Sequence, residues 1–163
     1  MSIQTVREYL APFGKAEAVM EFDVSSATVE LAAQALGTEP ARIAKTLSFQ
    51  NQAGDGCVLV VMAGDAKVDN RKFKEQFGFK ARMLAHEDAL AYTGHAVGGV
   101  CPFALPEGVP VYLDVSMRRF DTVYPAAGSA NSAVPMTCQE LSQCARAAAW
   151  VDVGKAWAGC PDA

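Results

Sequence analysis

The sequence predicts an α/β domain of the α+β kind, with a largely antiparallel sheet and helices around it. Three observations carry that reading. Helix-period and strand-period apolar runs follow one another in mixed order. Two strand-like runs, 45–49 and 57–63, are joined by a polar turn holding Gly54-Asp55-Gly56, which reads as a hairpin. Helices and hairpins also lack the regular strand-helix-strand alternation of a doubly wound parallel sheet.

In order along the chain, Ile3, Val6, Tyr9 and Leu10 recur at helical spacing, and Pro12 and Gly14 close that first helix. Residues 18–22 read as a short strand. Thr28 is placed to cap a helix over 29–36, its hydroxyl accepting from an orphan amide, and Gly37 supplies the stop. Thr38, Glu39 and Pro40 then start a short helix through Ala44. The run Cys57-Val58-Leu59-Val60-Val61-Met62-Ala63 is apolar without alternation, the pattern of a central strand covered on both faces. A charged helix over 69–77 ends at Gly78, a strand is expected over 81–84, and a helix over 86–92 ends at Thr93-Gly94. Glycine and proline mark 97–110 as loop. Later strands are expected over 109–115, 121–124 and 133–136, a last helix over 138–148, and an edge strand over 150–153. Residues 1–153 are read as one domain and 154–163 as a loose C-terminal tail.

The 163 residues are 51% apolar and 20% charged, enough for one sizeable core that needs neither metal nor disulfide. Fourteen basic against 18 acidic side chains leave a net charge of −4, so any nucleic-acid contact must come from local patches. The five cysteines are scattered and form no C-x-x-C pair, which points to reduced thiols in a cytoplasmic protein. The N-terminus mixes Arg7 and Glu8 into its helical pattern, which argues against a signal peptide or membrane span. No cofactor or metal is expected, and the oligomeric state stays open.

Phosphate-binding glycine loops, H-E-x-x-H and G-x-S-x-G are missing from the sequence. Lys45 stands out because it opens an apolar strand where a helix ends. It is either a charge compensating the helix dipole at a solvated edge or an ammonium set beside a cleft to hold substrate oxygens. Val97-Gly98-Gly99-Val100-Cys101-Pro102-Phe103 is the second candidate: its glycines let backbone amides approach a carbonyl oxygen closely, although most loops of this composition are only turns. Cys101 suggests a nucleophile, but no partner histidine follows from spacing, and a spectator thiol is the simpler reading. His86 reads as structural, at a helix start; His95, in the glycine-rich loop, stays open. Lys67, Arg71 and Lys74 fall at i, i+4 and i+7, on a helix that also carries Lys72, with Lys80 and Arg82 beyond and Arg118 and Arg119 as an extension. Such a face is usually just solvated, yet it is dense enough to follow a phosphate backbone.

Five blocks in register carry a resemblance: Thr28-Val29-Glu30-Leu31-Ala32-Ala33, Arg42-Ile43-Ala44-Lys45-Thr46-Leu47, Val60-Val61-Met62-Ala63-Gly64-Asp65, Gly98-Gly99-Val100-Cys101-Pro102-Phe103 and Tyr124-Pro125-Ala126-Ala127-Gly128-Ser129. From about Val19 to Leu141 the chain resembles the YbaK/EbsC family, freestanding relatives of the editing domain of bacterial prolyl-tRNA synthetases. The resemblance implies a mixed, mostly antiparallel barrel-like sheet. It also implies hydrolysis of the ester on a mischarged aminoacyl-tRNA, typically tRNA for proline, with prolyl-tRNA synthetase as a further partner. It places the family's lysine on Lys45 and its G-x-x-x-P loop on Gly98 to Pro102, with Gly98, Gly99 and neighbouring amides gripping the carbonyl. Gly128 and Ser129 fall on a later turn near the pocket, and Ser26, Thr28 and Thr46 on the amino-acid pocket. Some relatives carry a histidine in the later turn; here Ala126 to Asn131 has none.

Pocket size is expected to depend on Phe22, Thr46, Met62, Val97 and Phe103. Two other functions compete with deacylation: a module that binds aminoacyl-tRNA or a free amino acid without hydrolysing it, and a thiol-dependent enzyme using Cys101.

Overall fold

The computed structural model describes residues 3–96 and 98–160. Its helices are α1 (Ile3–Leu10), α2 (Val29–Leu36), α3 (Asn70–Phe77), α4 (His86–Thr93) and α5 (Cys138–Cys144). Its strands are β1 (Met20–Glu21), β2 (Ile43–Gln50), β3 (Cys57–Ala63), β4 (Lys67–Val68), β5 (Val111–Asp114), β6 (Tyr124–Pro125), β7 (Ser132–Ala133), β8 (Ala149–Val151) and β9 (Gly154–Lys155).

Local capping chemistry sets the helix ends. Thr28 Oγ1 accepts from Leu31 N at 3.2 Å and Gly37 closes α2 in the left-handed region. Asp69 caps α3 and Gly78 ends it. Thr137 and Glu140 form a reciprocal capping box on α5.

The main sheet runs β6-β2-β3-β5-β8. β2 and β3 form the expected antiparallel hairpin, with Lys45 opposite Met62 and Thr46 opposite Val61. β6, β5 and β8 join in parallel, so antiparallel pairing does not dominate and the sheet is mixed. β3 is buried along its whole length. Leu59, Val61 and Ala63 face a core built with α1, Met117, Val123 and Leu141, whereas Val58, Val60 and Met62 face a second core around Phe49, Phe73 and Val153.

Several expected boundaries shift. The short helix after Thr38 is a single 3-10 turn, Pro40–Arg42, because Ile43 already enters β2. The strand expected over 81–84 reduces to a bridge between Met83 and Phe49. Lys67 lies in β4 rather than on α3. α5 stops at Cys144, and Ala148 N then donates to Val111 O at 2.7 Å.

The segment expected as a loose tail is packed as far as Cys160. β9 pairs with β4, and Trp157 and Cys160 are buried in the second core. Asp114 fixes the entry to this segment: its buried carboxylate accepts from Val153 N at 2.9 Å and Ser116 N at 3.0 Å. Among the described residues, no helix is long and apolar enough to cross a membrane.

Candidate active site

A cavity of about 440 Å³ opens beside β2. Its walls come from β2 itself, from Ser26, Ala27 and Thr28 leading into α2, from Met83 and α4, from Gly98 and Val100, and from Tyr124, Ala126 and Ser132. The volume suits one amino-acid-sized group. Among the described lining residues no carboxylate occurs, and Lys45 is the lysine of the set.

Lys45 reaches the turn that leaves β3. Its Nζ donates to Ala66 O and, at 3.5 Å, to Gly64 O. Two of three ammonium protons are thus held by main-chain carbonyls, leaving one for a ligand. Burial pushes the Lys45 amine below its ordinary value, while Asp65 and Glu30 act against that shift.

The turn is fixed from both sides. A Cβ on Gly64 would come within 2.0 Å of Pro40 O, so no larger residue fits. Asp65 is gripped by both terminal nitrogens of Arg119, at 2.9 and 2.5 Å, and accepts from Ala158 N at 3.2 Å. Arg119 also donates to Ser116 O at 2.8 Å and lies 4.8 Å from the ring centres of both Phe120 and Trp157. Burial raises the Asp65 carboxyl, but the hydrogen bonds from Arg119 and Ala158 outweigh it and leave the group below its ordinary value. The C-terminal segment therefore buttresses the turn that holds Lys45.

Lys45, Ser26, Thr28, Thr46, Gly98 and Val100 all line the cavity. Thr46 Oγ1 is buried without a hydrogen-bond partner among the described residues. Gly99, Cys101, Pro102, Gly128 and Ser129 are not among the lining residues. Gly99 N already donates to Ala96 O at 2.9 Å, which removes it as a donor to a substrate carbonyl. A Cβ on Gly99 would sit 2.9 to 3.1 Å from the Ser129 backbone, so this glycine lets two loops interlock. A Cβ on Gly98, at φ +92°, would lie 3.2 Å from the Ala27 side chain and 3.6 Å from that of Ala130. Ser129 Oγ bonds Asn131 and Ser132, each at 2.8 Å, and Asn131 Nδ2 donates to Phe22 O.

Cys101 is fully buried. His95 Nε2 lies 3.5 Å from its sulfur, a proximity the sequence spacing did not reveal. That nitrogen also lies 2.8 Å from Phe103 O. A carbonyl only accepts, so Nε2 carries the proton and cannot take one from the thiol. Burial pushes the thiol up to about 12. Neither exposure nor a base activates it, which argues against the thiol-enzyme reading.

The basic residues divide. Lys67, Arg71 and Lys74 are exposed, though Lys67 stands on β4. Lys72 is 7% exposed and bonds Asp152 and Gly154 O, which takes it off any phosphate-binding face. Arg118 stacks on Trp150 at 4.3 Å, and Arg119 is committed to Asp65. Arg119 therefore does not extend the patch, whereas Arg118 remains exposed beside Trp150. Met62 and Phe103 are core residues, Phe22 is not among the lining residues, and Val97 lies outside the described residues. Among the lining residues that were not expected at the cavity are Ser48, Met83, His86, Tyr124 and Ser132. Period-two alternation along β2 could have supplied Ser48; the others arrive through tertiary packing. No group of three or more metal-ligating side chains gathers among the described residues.

A mixed sheet, a partly open cavity of amino-acid size and a lysine tethered beside it define a compact domain with a candidate binding pocket. The chain matches the aminoacyl-tRNA editing domain family over residues 23–144 and belongs to it. It is 51% identical to the uncharacterized protein YwhH of Bacillus subtilis, over 96% of this chain and 99% of that one. It is 33% identical over 84 residues to a proline–tRNA ligase of Pelobacter propionicus, a stretch covering 51% of this chain and 14% of the ligase. It also superposes, with a TM-score of 0.84 and 28% identity, on a solved structure of a protein proposed as a trans-editing enzyme for prolyl tRNA synthetase, covering 94% of this chain and 96% of that one.

Proposed function

We propose that this protein is a trans-editing aminoacyl-tRNA deacylase acting in the cytoplasm on mischarged tRNA, tRNA for proline bearing a small wrong amino acid. The observation that carries the reading is Lys45, tethered by two carbonyls in the wall of an amino-acid-sized cavity, in a chain of the editing family.

Hydrolysis adds water across the ester: the acyl carbon–oxygen bond breaks, the ribose hydroxyl regains a proton, and the free amino acid leaves. The ester is already activated, so positioning and oxyanion stabilisation suffice without a protein nucleophile. Lys45 supplies a fixed positive charge for the carbonyl oxygen as it becomes anionic. Gly98 and Val100 supply the loop wall facing the substrate, while Gly99 holds the loop shape. Exposed Lys67, Arg71 and Lys74 contact tRNA phosphates, and prolyl-tRNA synthetase is the partner whose errors are corrected.

The test is a deacylation panel: purified protein with tRNA for proline carrying alanine, cysteine, serine or proline. Selective release of one or more small wrong amino acids, with prolyl-tRNA spared, supports the proposal. Binding of charged tRNA with the ester intact throughout the panel refutes it in favour of a binding module.

A further inference from the structure

The edge of β2 that faces the cavity is interrupted. Toward its start, Ile43 and Ala44 pair with Tyr124 and Pro125 of β6. Toward its end, Ser48 O accepts from Leu84 N at 3.1 Å and Gln50 N donates to Arg82 O at 2.8 Å. Between Ala44 and Ser48 no strand is paired on this edge among the described residues, a gap of roughly 13 Å at about 3.3 Å per residue.

Main-chain groups alternate between the two edges of a strand. Because Ser48 and Gln50 direct theirs away from β3, so does Thr46, two residues earlier. Its N–H and C=O therefore face the gap, next to its own buried hydroxyl, which has no partner among the described residues. Three polar groups of one residue meet where Thr46 lines the cavity, and no described carboxylate is there to receive an amine.

We infer that Thr46 binds the aminoacyl group as an antiparallel strand would: the substrate's α-amine donates to Thr46 O, and Thr46 N–H donates to the substrate's carbonyl oxygen. These are the two reciprocal bonds exchanged by opposed residues in an antiparallel ladder. The site takes aminoacyl esters with a free α-amine. Thr46 Oγ1 accepts another amine proton, and the carbonyl keeps a second lone pair for Lys45 or an amide of the 98–100 loop.

A polypeptide strand is the competing occupant. It fits the gap poorly, because antiparallel pairing sends the ligand's amine side toward Leu84, already bonded to Ser48, and its carbonyl side toward β6. Either extension meets protein already paired to β2. A single aminoacyl unit does not, so an acyl group on the amine is rejected.

The inference rests on the deacylase reading, and a binding experiment with hydrolysis-resistant ligands separates the two. Adenosines carrying alanine, serine or cysteine through a 3′-amide are titrated into the full chain, each beside its N-acetyl derivative. The main-chain amide of Thr46 is followed by NMR. A free-amine ligand is expected to shift and protect the Thr46 amide, and N-acetylation to weaken binding at least about tenfold. Equal binding of the N-acetyl form, as a peptide groove would give, overturns the inference and leaves the deacylase reading standing. So does binding that leaves the Thr46 amide unmoved. Failure of every ligand to bind overturns both.

Discussion

Arg119→Ala removes more than one contact. It deletes the two-pronged grip on Asp65, the bonds to Ser116 O and Ala158 O, and two ring contacts, at a pair whose side chains are 20% and 27% exposed. Charge-assisted hydrogen bonds contribute about 1.5–3 kcal/mol and a partly exposed cation–π contact about 0.5–1 kcal/mol. Asp65 keeps the Ala158 amide and some water, so the expected loss is about 2–4 kcal/mol, a melting temperature lower by roughly 6–12 °C in a chain of this size. Urea denaturation of wild type, Arg119→Ala, Asp65→Asn and the double variant measures it. The double-mutant cycle is expected to return a coupling of about 1–2 kcal/mol. The pH dependence has a defined sign. Asp65 is held below its ordinary value in the fold, so its contribution is present above the unfolded value, about 3.9, and fades as pH falls through the folded one. The stability gap between wild type and Arg119→Ala should accordingly close in acid. Additive effects, or a gap that widens as pH falls, would refute the argument that this pair braces the lysine turn.

Other parts of the site predict their own outcomes. Gly99→Ala drives a Cβ into the Ser129 backbone, which cannot move aside as a side chain could, and should cost about 1–3 kcal/mol by chemical denaturation; a wild-type midpoint would contradict the interlock. Cys101, fully buried with its thiol pushed up to about 12, should resist iodoacetamide in the native protein and react once urea unfolds it, as read by peptide mass spectrometry. Trp157→Ala should destabilise by about 3–5 kcal/mol, because residues 154–160 close the second core; an unchanged urea midpoint would mean that they do not.

Features set by neighbouring residues were legible in the sequence. Thr28 and Gly37 bound α2, Gly78 ends α3, and the unbroken apolar run of β3 signals burial on both faces. Features that depend on distant partners were not. β5, β6 and β8 are short and pair in parallel with strands far away in sequence, so local patterning did not reveal their direction and the largely antiparallel sheet it suggested is mixed. Residues 154–160 looked loose because their few apolar side chains show no period, yet Trp157 and Cys160 each find a place in the core. At the site, Lys45, Thr46 and Gly98 could be named from motif position. The Asp65–Arg119 clamp joins residues 54 apart, and nothing local marks either as its member. Gly99 shows the limit of composition: a glycine beside a pocket suggests close approach to a ligand, whereas here the close approach is to another loop.

The most direct measurement is single-turnover deacylation of mischarged tRNA by wild type and Lys45→Ala, with circular dichroism to establish that the variant folds. Loss of a preorganised charge at a developing oxyanion predicts a rate lower by about 10²–10³-fold. Because burial lowers the Lys45 amine, the wild-type rate above uncatalysed hydrolysis should also decline at a pH below the ordinary lysine value of about 10.4. A folded Lys45→Ala protein that clears the ester at the wild-type rate would contradict the central claim.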